Sequence, residues 1–91
     1  MTTVEFVVEE IFPVSFQPVP FLWGTLKGSL RIGDEVFLET PDGRLTGKVT
    51  TIELHKPPRA RDDQFSIAVS GDLVPFVSRG SVIRKVEDVP I

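Results

Sequence analysis

The stretch GSLRIGDEVFLE, Gly28 to Glu39, decides how this chain reads. A Gly-Asp pair, Gly33 and Asp34, stands between two short runs of alternating apolar residues. Glycine enters left-handed backbone without a steric penalty, and an aspartate accepts hydrogen bonds from nearby backbone N–H groups. The pair therefore predicts a change of direction between two strands. Ile32 is expected to point into the core, Gly33 to turn the chain, Asp34 to hold the turn, and Gly28 to relieve crowding at the other end of the same corner. This is the chemistry of a fold, not of a catalytic site.

Working outward, EVFLE runs into TPDGRL, where Pro41 presets φ and Asp42-Gly43 can turn left-handed, the signature of a tight hairpin. The returning RLTGKVTTIEL puts Val49 and Ile52 out of phase for strict alternation, so burying both requires a β-bulge near Thr50 and Thr51. Upstream, VEFVVEEIF sets Val4, Phe6 and Val8 on one face and is ended by Pro13, which has no N–H for a ladder. In FLWGTLK, Gly24 between Trp23 and Thr25 marks a bend or a close backbone approach, and Phe21 and Trp23 are expected in the core. Downstream come QFSIAVSG, with Phe65, Ile67 and Val69 alternating, then DLVPFVSRG and a last strand SVIRKV, although VIRKVEDV also reads as a short helix. Six or so short strands predict an all-β chain. The expected architecture is one domain over residues 1–91, a small closed or partly closed antiparallel β-barrel without exposed sheet edges.

Ninety-one residues suffice for one domain with one core, and 41% hydrophobic residues argue against disorder. A net charge of −3 is poor electrostatics for a general phosphate-backbone binder, so no DNA binding is expected and any RNA contact must be local. The absence of cysteine removes disulfides and thiolate chemistry and fits the cytoplasm. The longest uncharged run, Ile11 to Leu26, is broken by Pro13, Pro18 and Pro20 and is too short to span a membrane. The opening MTTVEFVVEE carries acids where a targeting peptide would carry basic residues.

The nearest approach to a phosphate-binding loop is DGRLTGKV. Asp42 replaces the first glycine, Val49 replaces the Mg²⁺-binding hydroxyl, and the context is a hairpin, so Gly47 and Lys48 read as ordinary strand residues. His55 is the sole histidine, which rules out a histidine metal cluster, and no Gly-x-Ser-x-Gly elbow supports a Ser-His55 dyad. Asp62 and Asp63, beside Arg59 and Arg61, read as solvated surface. Glu9 and Glu10 project to opposite faces of a strand and cannot act as a carboxylate pair without a bulge. No catalytic residue, metal or cofactor is expected.

The one basic concentration is HKPPRAR, residues 55–61, with Lys56, Arg59 and Arg61. It suits RNA phosphates or an acidic protein surface, and reads equally as a solvated turn stiffened by Pro57 and Pro58. Phe16, in the proline-rich PVSFQPVPF, is the candidate interface aromatic. The expected partner-binding set is thus His55, Lys56, Arg59, Arg61 and Phe16, on loops 13–21 and 55–63.

Taken in order, FVVEEIFPV, GTLKGSLRIGDEVFL, KVTTIEL, FSIAVSG and VSRGSVI resemble the second, β-barrel domain of translational GTPases such as elongation factor Tu. The resemblance runs from about Phe6 to Ile83. It implies a translation-protein barrel that does no chemistry, packs on a GTPase domain and touches RNA in some members. No GTPase motif is present, so GTP binding is not implied for this chain. It departs from the family's pattern between Pro13 and Phe21 and in the short proline-bearing loop after TIEL, where members contact partners. The expectation is a non-catalytic module with an RNA or protein partner. The alternative is a regulatory or mimic domain that docks on a GTPase or another protein, with no RNA role.

Overall fold

The computed structural model describes residues 4–13, 19–53, 58–70 and 72–86. They form six strands: β1 (Glu5–Phe12), β2 (Phe21–Lys27), β3 (Glu35–Thr40), β4 (Gly43–Glu53), β5 (Gln64–Val69) and β6 (Val82–Lys85). All pairings are antiparallel. The order is β1-β2-β5-β4-β3-β6, and β6 pairs again with β1, so the sheet closes into a ring. Each strand then has a neighbour on both sides, which satisfies backbone groups that an open sheet would leave at its edges.

Alternation along the strands points one residue in two at the centre of the ring. Val4, Phe6 and Val8 fill it from the β1 side, Leu22 from β2, Val36 and Leu38 from β3, Val49 from β4, Ile67 and Val69 from β5, and Ile83 from β6. The segment VIRKVEDV offers a helical alternative, but Val82–Lys85 is a strand because it supplies the piece that joins β1 to β3. DLVPFVSRG is not a strand. It contains a 3₁₀ turn, Val74–Phe76, in keeping with Pro75, which has no N–H for a ladder. This connection lays fully buried Leu73, and Val77, on the core at one end of the ring. Hydrogen bonds from Val8 N–H to the Ser81 carbonyl (2.9 Å) and from Gly80 N–H to the Val8 carbonyl (2.7 Å) fasten it to β1.

The corner at Gly33-Asp34 is built as expected in its backbone and differently in its side chains. Gly33 has φ +94°, its N–H donates to the Val49 carbonyl (2.7 Å), and the Asp34 carboxylate accepts the Arg31 N–H (2.8 Å). Ile32, however, is 65% exposed, and Leu30, at 8%, is the residue that enters the core. The bond from Asp34 N–H to the Arg31 carbonyl (3.1 Å) makes Ile32 and Gly33 the two central turn positions, which project from the fold. At the β3–β4 hairpin the positive φ belongs to Gly43, while Asp42 keeps a negative one.

Two bulges let the ring curve. The register of β4 on β5 shifts between Val49 and Thr51, which buries Val49 and packs Ile52 against the core. A second shift, between Val8 and Glu10, makes Glu9 the extra residue of β1. Gly24 lies beside this bulge. A Cβ there would stand 2.0 Å from the Val7 carbonyl oxygen, so β1 and β2 can meet this closely only at a glycine.

Candidate binding surfaces

The alternation that turns Leu22 and Gly24 inward leaves Phe21 and Trp23 on the outer face, half-buried. This corrects the expectation that both pack in the core. Trp23 sits in a cross-strand row between Glu10 of β1 and Ser66 of β5. Phe12 pairs with Phe21 at the end of β1 and is 50% exposed. Phe12, Trp23, Arg59, Ala60, Gln64 and Ser66 together line an outer-face cleft of about 310 Å³.

The strand register puts the β1–β2 and β4–β5 connections at opposite ends of the ring. They nevertheless share this cleft, because the residues before β5 reach back along the outer face. Leu26 N–H donates to the Asp63 carbonyl (2.8 Å), and Gln64 closes a turn by accepting the Arg61 N–H on its side-chain oxygen (2.9 Å). Arg59 and Ala60 are thereby brought to the wall opposite Phe12 and Trp23.

Among the expected partner-binding residues, Arg59 lines the cleft and Arg61 does not. The Arg61 guanidinium is tied to Asp63 (3.3 Å), to Glu9 (3.8 Å) and to the Thr25 hydroxyl (3.1 Å). Arg59 makes no ion pair among the described residues. His55, Lys56 and Phe16 lie outside the described residues.

The bulge at Glu9 supplies the condition under which Glu9 and Glu10 could have formed a carboxylate pair, yet the two are drawn to different partners. Glu9 accepts hydrogen bonds from the Thr25 hydroxyl and from Gln64 Nε2. Glu10 binds Arg79 (2.8 Å), and that guanidinium, helped by the Ile11 N–H, holds its carboxyl below the ordinary 4.5. A carboxylate kept ionised in this way is no general acid near neutrality. Among the described residues no three His, Asp or Glu side chains are grouped to hold a metal ion. Gly47 is a strand residue of β4, as expected, and a tightly packed one, since a Cβ there would lie 2.5 Å from Ser70 Oγ and 2.9 Å from the Leu73 side chain. The connection after β5 presses on β4 at that point, a tertiary contact that no local pattern signals.

A second concavity, missed by the sequence reading, opens at the end of the ring opposite Leu73. It measures about 470 Å³ and is walled by Leu26, Leu30, Ile52, Phe65 and Ile67, with the turn Gly28 to Ile32 along its rim. The sequence carried no signal for it, since Ile32, which exposes apolar surface beside the ring mouth, was expected in the core.

Among the described residues no helix is long and apolar enough to cross a membrane. Compared with protein-family models, curated proteins and solved structures, the chain matches none.

Proposed function

We propose that this chain is a non-catalytic binding module that engages a protein partner through the outer-face cleft. The observation that carries the reading is convergence: Phe12, at the edge of the 13–21 loop, and Arg59 and Ala60, from the 55–63 loop, line one cleft around Trp23. An exposed aromatic beside a half-buried tryptophan and an arginine that makes no ion pair among the described residues is the composition enriched at interface anchors. The order of the sequence blocks supports kinship with the second domain of elongation factor Tu, which likewise binds without chemistry. On that reading the natural partner is a GTPase or another translation-related protein, met in the cytoplasm.

Electrostatics favour protein over RNA. Arg44, Arg61, Arg79, Arg84 and Lys85 all hold ion pairs within the chain, and the net charge is −3. Among the described residues a phosphate backbone would find Arg59 at the cleft, not a basic stripe. RNA remains the second reading, favoured by the juxtaposition of Phe12, Trp23 and Arg59, which is also the composition of a base-stacking platform.

The test is capture from the source cell on the immobilised full chain, with and without nuclease. Capture that survives nuclease and about 0.5 M salt, and is lost with Phe12→Asp, supports the protein reading. Nuclease-sensitive capture with a steep salt dependence, abolished by Arg59→Glu, transfers the function to RNA. Capture indifferent to both substitutions refutes the cleft.

A further inference from the structure

We propose that the open end of the ring is a binding site for a small amphiphile with an apolar body and a carboxylate head. The two ends of the ring are built differently. At one end Leu73 and Val77 lie on the core and are themselves buried. At the other end Leu26, Ile52 and Phe65 pack on the core yet stay partly exposed, over fully buried Ile67, and leave a cavity of about 470 Å³. Sites for small ligands commonly span roughly 300–1,000 Å³ with mostly apolar walls and a few polar groups that fix orientation.

The lining dictates the class of ligand. Among the described residues its walls are aliphatic and aromatic, no carboxylate lines it, and its one charged side chain is Arg31 at the rim. Arg31 makes no ion pair among the described residues. Asp34, the acid of the same turn, is already committed: it accepts the Arg31 backbone N–H and pairs with Lys85 at 3.4 Å. The Arg31 guanidinium is therefore available to a ligand carboxylate, which it can meet with two parallel hydrogen bonds. A neutral apolar molecule would satisfy the walls and leave Arg31 unused. A cation would be repelled, and a polyanion would find one positive charge.

This site is separate from the outer-face cleft and shares no lining residue with it. Titration of the isotopically labelled full chain with decanoate, decanol and decyltrimethylammonium, each below micelle formation, tests it by NMR. Saturable shifts at Leu26, Leu30, Ile52, Phe65 and Ile67 are expected, with decanoate bound about ten-fold more tightly than decanol and the cation more weakly still. Arg31→Gln should erase the preference for decanoate while the same residues still shift. Ile52→Trp, checked for retained folding by its amide spectrum, should fill the cavity and abolish the shifts. Arg31 sits at an exposed turn, so its substitution tests the proposal even where Ile52→Trp fails to fold. The proposal is overturned by an absence of saturable shifts at these residues, by equal affinity for decanoate and decanol, or by shifts centred on Phe12 and Trp23.

Discussion

Gly24→Ala attacks a close approach of β2 to β1. The added Cβ would lie 2.0 Å from the Val7 carbonyl oxygen, 2.9 Å from its carbonyl carbon and 3.0 Å from the Phe6 ring. An ordinary carbon–oxygen contact across a sheet is about 3.3 Å, so β1 and β2 must part by roughly 1 Å. The obstacle is backbone, and no rotamer change can relieve it. Overpacking costs about 1–3 kcal/mol, and widening the ladder weakens adjacent hydrogen bonds that contribute about 1 kcal/mol each. The expected loss is therefore about 3–4 kcal/mol. For a chain of this size that lowers the melting temperature by roughly 12–30 °C. Thermal melting by circular dichroism and urea titration at an unchanged m-value measure it. Gly33→Ala is the control, since nothing lies within 4 Å of its Cβ and the φ of +94° is the whole difficulty. That conformation costs an alanine about 1–2 kcal/mol. If Gly24→Ala melts within about 4 °C of the parent, or above Gly33→Ala, the strands do not approach as described.

Leu73→Ala removes a fully buried side chain from the connection that closes one end of the ring, and should cost about 2–5 kcal/mol in urea unfolding. Asp34→Ala loses a charged acceptor of the Arg31 N–H and the Lys85 partner, for about 1–2 kcal/mol, while Asp34→Asn, which can still accept the N–H, should keep much of this stability. Glu10 should titrate below 4.5 in an NMR pH series, and Arg79→Gln should raise its midpoint toward that value. Because the folded-state value is lowered, the stability linked to Glu10 is fully present above the ordinary carboxylate pKa and is lost as the pH falls through the lowered one. An unchanged Glu10 midpoint in Arg79→Gln would show that the guanidinium is not the cause.

Features with a local cause were legible in the chain. Pro13 stops β1 after Phe12, the Pro41-Asp42-Gly43 turn closes a hairpin, and the phase error between Val49 and Ile52 becomes a bulge. The candidate surfaces were less legible. Arg59 was singled out for its charge, but its place beside Trp23 depends on a loop folding back along β2, and the outward turn of Trp23 depends on the ring's inner face having room for Leu22 and Gly24. Arg61, chosen on the same compositional grounds, is drawn instead to Glu9 and Asp63. Glu9 and Glu10 are adjacent in the chain and yet serve different partners, because a bulge and two distant arginines divide them.

The amino-acid sequence by itself determined the all-β character, the turns and the inward residues of most strands, because period-two patterning and glycine or proline backbone preferences act over a few residues. It also limited the chemistry, through one histidine, no cysteine and a negative charge. Among the described residues, tertiary structure decided which end of the ring is filled and which is open, where Ile32 and Trp23 face, and which arginines make no ion pair. Those outcomes rest on contacts between residues far apart in the chain, Leu73 against Gly47 and Arg79 against Glu10 among them. Local pattern carries no record of such contacts, since ring closure is what brings the partners together.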